Sequence, residues 1–135
     1  MVLLGIKRRE MVVSALSYLR LISDSAGESH FVPLNIEMTR RTFAPPAPSF
    51  EVSEMAPAAK VGFLRVPKGW MGELHPSPVR MWVFFLGGAM EFEASDGEIR
   101  PGVPGQAILL EDTTGKGHLS RVTGNADAIL ALVQV

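Results

Sequence analysis

The sequence predicts an all-β fold, and three observations carry that prediction. From Lys60 onward the chain is a series of short apolar or alternating runs rich in Val, Ile and Phe: VGFLRV, MWVFFL, AMEFEA, AILL, LSRV and AILALVQV. Gly, Pro, Asp and Asn separate these runs at close intervals, which is the rhythm of a sandwich or a barrel. A composition of 47% hydrophobic and 20% charged residues is that of a chain able to bury a core and far from the signature of disorder.

The 135 residues suit one domain of the usual ~100 to 200, with a short appendage. Residues 1–10, MVLLGIKRRE, place a basic cluster after a very short apolar run, the reverse of a secretory signal. Residues 11–22, MVVSALSYLRLI, mix helix formers with β-branched residues, and periodicity leaves helix and strand both open. Asp24 to Ser29 reads as a turn, and VPLNIEMT after it alternates as a half-buried strand does. TFAPPAPSFEVSEMAPA carries Pro45, Pro46, Pro48 and Pro57, whose fixed φ and missing N–H favour an extended strap. The expected organisation is therefore an N-terminal arm and strap over residues 1–58 and a β-barrel core over 59–135. Within the core, AMEFEASDGEIR puts Met90 and Phe92 on one face and Glu91 and Glu93 on the other. Asp96-Gly97 between its halves suggests a type I′ hairpin turn.

Charge and cysteine usage narrow the function. A formal net charge of −1 gives no field that would gather nucleic acid or anionic lipid, so neither is an expected partner. No stretch is long and apolar enough to span a bilayer, and the reading is a soluble cytoplasmic protein. Without cysteine there is no disulfide, thiolate ligand or cysteine nucleophile, so a metal would have to use His, carboxylate or water. A phosphate loop at TTGKG lacks the strand, loop and helix order it needs, and no Ser-His-Asp hydrolase pattern accompanies Ser77.

The stretch from GFLRVPKGWMGELHPSP through MWVFFLGGAMEFEASDGEIRPGVPGQAILLEDTTGKGHLSRV resembles the cupin family of small single-domain bacterial proteins, over roughly the last 75 residues. GESHF and APPAPSF upstream resemble its amino-terminal part more weakly. The resemblance implies a jelly-roll barrel, the double-stranded β-helix, with a ligand pocket inside it. Two histidines and a glutamate in a first motif, and one histidine in a second, hold the ion in the family's metal-binding members. His75 matches the first histidine, Gly88 the glycine closing that motif, Pro104-Gly105 the opening of the second motif and His118 its histidine. The other two ligand positions fall at or beside Ser77 and Met81, neither of which suits a divalent ion.

The resemblance therefore makes His75 and His118 the leading site candidates, as acid and base or as ligands of a divalent metal such as Zn, Mn, Fe or Ni. A metal-free site is favoured, because two histidines are too few for a closed one. Glu111 and Asp112 are adjacent, so only one can enter the barrel. Glu111 is the candidate for orienting a histidine or acting as a base, and Asp112 is assigned to stabilising the turn into Gly115. Arg65 offers a planar fork to a carboxylate or enolate. Trp70, Met81 and Phe85 are candidate pocket walls, although aromatic strand residues more often serve core packing. His30 reads as a surface or arm-docking residue before a third ligand.

The expected function is binding of a small organic molecule, either by an enzyme using His75 and His118 or by a non-catalytic binding or sensing module. A homodimer is expected, because a Pro-rich strap and an apolar strand beyond the barrel have little core of their own to pack against.

Overall fold

The computed structural model describes residues 11–135, so the basic cluster of the first ten residues lies outside the described part. Ten strands are described: β1 (Val12–Ser23), β2 (Ser29–Arg41), β3 (Phe50–Val52), β4 (Lys60–Val66), β5 (Met81–Gly87), β6 (Met90–Ala94), β7 (Ile99–Gly102), β8 (Ala107–Leu110), β9 (His118–Val122) and β10 (Ala128–Gln134). No α-helix occurs among the described residues, and none is long and apolar enough to cross a membrane. Residues 12–23, where periodicity left helix and strand open, form β1. Its β-branched residues suit the pleated conformation, and hydrogen bonding to neighbouring strands decides the outcome that local preference leaves open.

The chain divides into two compact units. Described residues 11–17 with 34–56 form the smaller, and residues 18–33 with 57–135 the larger; β1 and β2 run through both. In the smaller unit β3 pairs antiparallel with the end of β2, Thr39 opposite Val52 and Arg41 opposite Phe50. Ser17 Oγ donates to Asn35 Oδ1 at 2.9 Å, and the rings of Phe43 and Phe50 lie 5.7 Å apart. The Pro-rich strap thus contributes one short strand.

In the larger unit the strand order is β1-β8-β5-β10-β4 in one sheet and β7-β6-β9 in the other. Apart from the parallel pairing of β1 with β8, these neighbouring strands pair antiparallel. Alternation assigns the inner faces. Met81, Val83 and Phe85 of β5 and Met90, Phe92 and Ala94 of β6 are buried in one cluster with Leu21, Ile108, Leu110 and Leu130. The outward Glu91 and Glu93 both accept hydrogen bonds from Arg121 of β9, at 3.0 and 3.1 Å.

Two expectations are corrected. The sheets do not close into a barrel. The chain between β4 and β5 runs along the free edge of β9, where Val122 N–H donates to Trp70 O at 2.9 Å and Gly72 N–H to Ser120 O at 2.8 Å. Only isolated bridges form there, Met71 to Arg121 and His75 to His118, in a stretch flanked by Pro67, Pro76 and Pro78. What results is two mostly antiparallel sheets over a shared core, the arrangement of a β-sandwich. The hairpin turn also differs. Gly97 N–H donates to Ala94 O at 3.0 Å and Ala94 N–H to Glu98 O at 2.9 Å, with only Gly97 at positive φ (+96°). This is a type I turn completed by a left-handed glycine bulge, because a type I′ turn would need positive φ at Asp96 as well.

Candidate functional site

The antiparallel bridge between His75 and the first residue of β9 brings together two histidines that lie far apart in sequence. Backbone bonds of 2.9 Å run in both directions between them, and the ring centroids are 5.3 Å apart. This approach depends on Gly117, at φ +76°, where a Cβ atom would lie 2.0 Å from the carbonyl carbon of His75.

Each imidazole is oriented through Nδ1. His75 is exposed, and its Nδ1 lies 2.7 Å from the carbonyl oxygen of Glu73. A carbonyl cannot donate, so the proton is on Nδ1. His118 is buried, its ring stacks on Phe92 at 5.6 Å, and its Nδ1 lies 2.5 Å from Oδ2 of Asp112. The side chains of His118 and Asp112 are 4% and 0% exposed, and Oδ1 of Asp112 has no partner among the described residues. Neither Nε2 makes a hydrogen bond among the described residues. His118 Nε2 is also not one of the fully enclosed polar atoms that lack a partner. The ring lines a cavity.

That cavity has a volume of about 400 Å³. Val83, Met81, Leu110, Leu130 and Leu132 from the large sheet and Met90 and Phe92 from the small one form its walls, with Leu64, Val66 and Trp70 further along. Its polar lining is His75, His118, Ser77, Ser120 and Arg65. Ser77 is buried with its hydroxyl donating to Val79 O at 2.7 Å. Arg65 is 73% exposed, with its guanidinium 3.7 Å from Asp127.

His75, His118, Arg65, Trp70 and Met81 are therefore gathered at one cavity, while two other candidates are placed elsewhere. Glu111 does not line it. Its carboxylate accepts from Arg80 Nε at 2.8 Å and lies 3.9 Å from Arg20 Nε. Phe85 is 3% exposed and packs edge-on against Phe92 at 5.6 Å, as core. The adjacent carboxylates do leave on opposite sides, but the one that reaches a histidine is Asp112, which sequence reasoning gave to the turn. It lies six positions before His118, and the glycines at 115 and 117 within that loop were the available signal for a sharp return. His30 does not line the cavity either; its ring is held between Asp24 and Asp96.

The residues present do not fit the divalent ion of the metal-binding cupins. No group of three or more His, Cys, Asp or Glu among the described residues is arranged to hold a metal. Asp112 sits behind His118 on its Nδ1 side, and the Ser77 hydroxyl is committed to a carbonyl. What the pair offers without a metal is an oriented imidazole backed by a carboxylate, an arrangement that can accept a proton at Nε2. Comparison with protein-family models and with curated proteins finds no match for this chain.

Proposed function

We propose that this chain is a cupin-type domain that binds a small organic molecule in the cavity at His75 and His118. The observation that carries this reading is a pair of imidazoles with unbonded Nε2 atoms at one largely apolar cavity. Its volume of about 400 Å³ falls within the ~300 to 1,000 Å³ of small-molecule sites, which combine apolar walls with few polar groups. The Asp112–His118 pair supports acid/base catalysis on the bound molecule. A second reading, binding without turnover, is supported by the commitment of His75 Nδ1 and Ser77 Oγ to backbone carbonyls, which leaves imidazole nitrogens as the main reactive atoms.

The test is a thermal-shift screen of small aromatic and carbonyl compounds against the protein and a Leu130→Trp variant that fills the cavity. Compounds that raise the melting temperature of the first and not the second support the reading, and consumption of a hit on incubation selects the enzyme. Equal shifts in both proteins would place binding elsewhere and refute it.

We also propose that the cytoplasmic homodimer expected from the sequence uses the outer face of the large sheet. Val61 and Phe63 of β4 are 68% and 72% exposed there. Their registers across β10 continue to Val133 and Trp82 and to Ala131 and Phe84, making an apolar strip of the kind that marks interfaces. Analytical ultracentrifugation of the protein and of Phe63→Glu tests this, with a dimer expected to become a monomer.

A further inference from the structure

We propose that the cavity selects ligands that donate a hydrogen bond at its histidine end: neutral, flat molecules carrying a phenolic or enolic hydroxyl. This rests on the small-molecule reading above and adds the chemical class of the ligand. The argument is one of donor and acceptor inventory. Nδ1–H of His75 is spent on Glu73 O and Nδ1–H of His118 on Asp112 Oδ2, so each neutral ring has only the acceptor Nε2 left to offer. The Ser77 hydroxyl proton is spent on Val79 O. Ser120, the remaining hydroxyl of the lining, can donate or accept and so does not reverse the balance. A ligand presenting only acceptors would leave Nε2 of the buried His118 desolvated and unpaired, whereas a hydroxyl satisfies it.

Charge excludes the obvious competitor. An anionic ligand placed at His118 would sit near the buried Asp112 carboxylate, one of whose oxygens is already without a partner. The cation of the lining, Arg65, is on a largely exposed side chain, where solvent screens it, and is already near Asp127. A carboxylate is therefore disfavoured at the deep end. The walls suit a flat apolar body, with Phe92 lying against His118 and Val83, Met90 and Leu130 around it. Asp112 is in this account a positioning residue, which fixes the His118 tautomer without touching the ligand.

The probes are 2-naphthol, naphthalene and 2-naphthoate, titrated by calorimetry or fluorescence into the full chain. The expected order is 2-naphthol tighter than naphthalene by about tenfold, the scale of one hydrogen bond whose acceptor would otherwise stay unmet, with 2-naphthoate weakest. In His118→Phe that preference should disappear while naphthalene still binds. Independently of how that variant folds, the His118 Nε2 ¹⁵N resonance of the unmodified protein should move upfield with 2-naphthol and not with naphthalene. Equal affinity for naphthol and naphthalene, or tightest binding of naphthoate, overturns the donor proposal and leaves the cavity reading standing. Failure of all three to bind overturns both.

Discussion

Nδ1 of His118 lies 2.5 Å from Oδ2 of Asp112, and the two side chains are almost completely shielded from solvent. Removing one partner of such a buried pair leaves the other without compensation, so His118→Ala, which strands the Asp112 carboxylate, should lose about 3–5 kcal/mol of stability, and Asp112→Ala, which strands a neutral Nδ1–H, about 1–3 kcal/mol. His75→Ala should lose far less, because that ring is exposed and bonded to a single carbonyl. Urea unfolding of the three variants measures this. Equal losses for His75 and His118 would show that the Asp112 contact carries no special weight.

Gly117→Ala tests the bridge that builds the site. The new Cβ would collide with the carbonyl carbon and oxygen of His75, both 2.0 Å away, at a φ that L residues rarely adopt. The obstacle is backbone, which cannot swing aside, so the His75 segment must separate from β9. The expected result is a destabilised protein in which the amides of His75 and His118 exchange faster with solvent, read by hydrogen exchange. Unchanged protection of those two amides would contradict the contact.

The strands were legible in the sequence because period-2 alternation is a local property: Met81, Val83 and Phe85 face the core and Trp82, Phe84 and Leu86 do not. The join between His75 and His118 was legible only through family resemblance, since nothing local pairs residues 43 positions apart. The choice between Glu111 and Asp112 was not legible. Parity says that the two carboxylates part, but which one reaches a histidine depends on the register of β8, where Leu110 pairs with Met81 and Leu21 and places Glu111 beside Arg80 and Arg20. Barrel closure was not legible either, because it depends on how the segment between β4 and β5 meets the edge of β9, where only the bridges at Met71 and His75 form.

Adjacent phenylalanines in β5 should respond oppositely to truncation. Phe85 is 3% exposed between the sheets, where it contacts Phe92, so Phe85→Ala should lose about 3–5 kcal/mol through lost transfer energy and a cavity. Phe84 is 36% exposed on the outer side beside Trp82. Phe84→Ala should lose much less at concentrations where the protein is monomeric. Chemical denaturation of both variants decides the matter, and a larger loss at Phe84 would reverse the assignment of faces.

His30 makes the stability of the fold depend on pH. Its Nε2 lies 2.7 Å from Asp24 Oδ2 and its Nδ1 2.9 Å from Asp96 Oδ2, and since carboxylates only accept, both ring nitrogens must carry protons. Each aspartate also caps a glycine-bulge turn of the same design. Asp24 Oδ1 accepts from Ala26 and Glu28 N–H, and Asp96 Oδ1 accepts from Glu98 N–H. The hydrogen bond to Asp24, and then the one to Asp96, raises the His30 pKa above its ordinary 6.5. The same His30 bond lowers Asp24 below 3.8, while Ser95 and then Lys116 lower Glu28 below 4.5. A raised histidine contributes stability that is complete below pH 6.5 and is lost as pH rises through its folded-state pKa. The lowered carboxylates contribute above their ordinary values and lose that contribution as pH falls below them. Melting temperatures of the protein and of His30→Gln across about pH 5 to 9 should therefore differ most at the acidic end and converge at the alkaline end. Below that range both proteins should weaken, and the unmodified one should lose its advantage as Asp24 takes up a proton. A gap that stays constant, or widens toward alkaline pH, would mean that His30 is not held as an imidazolium between the two turns.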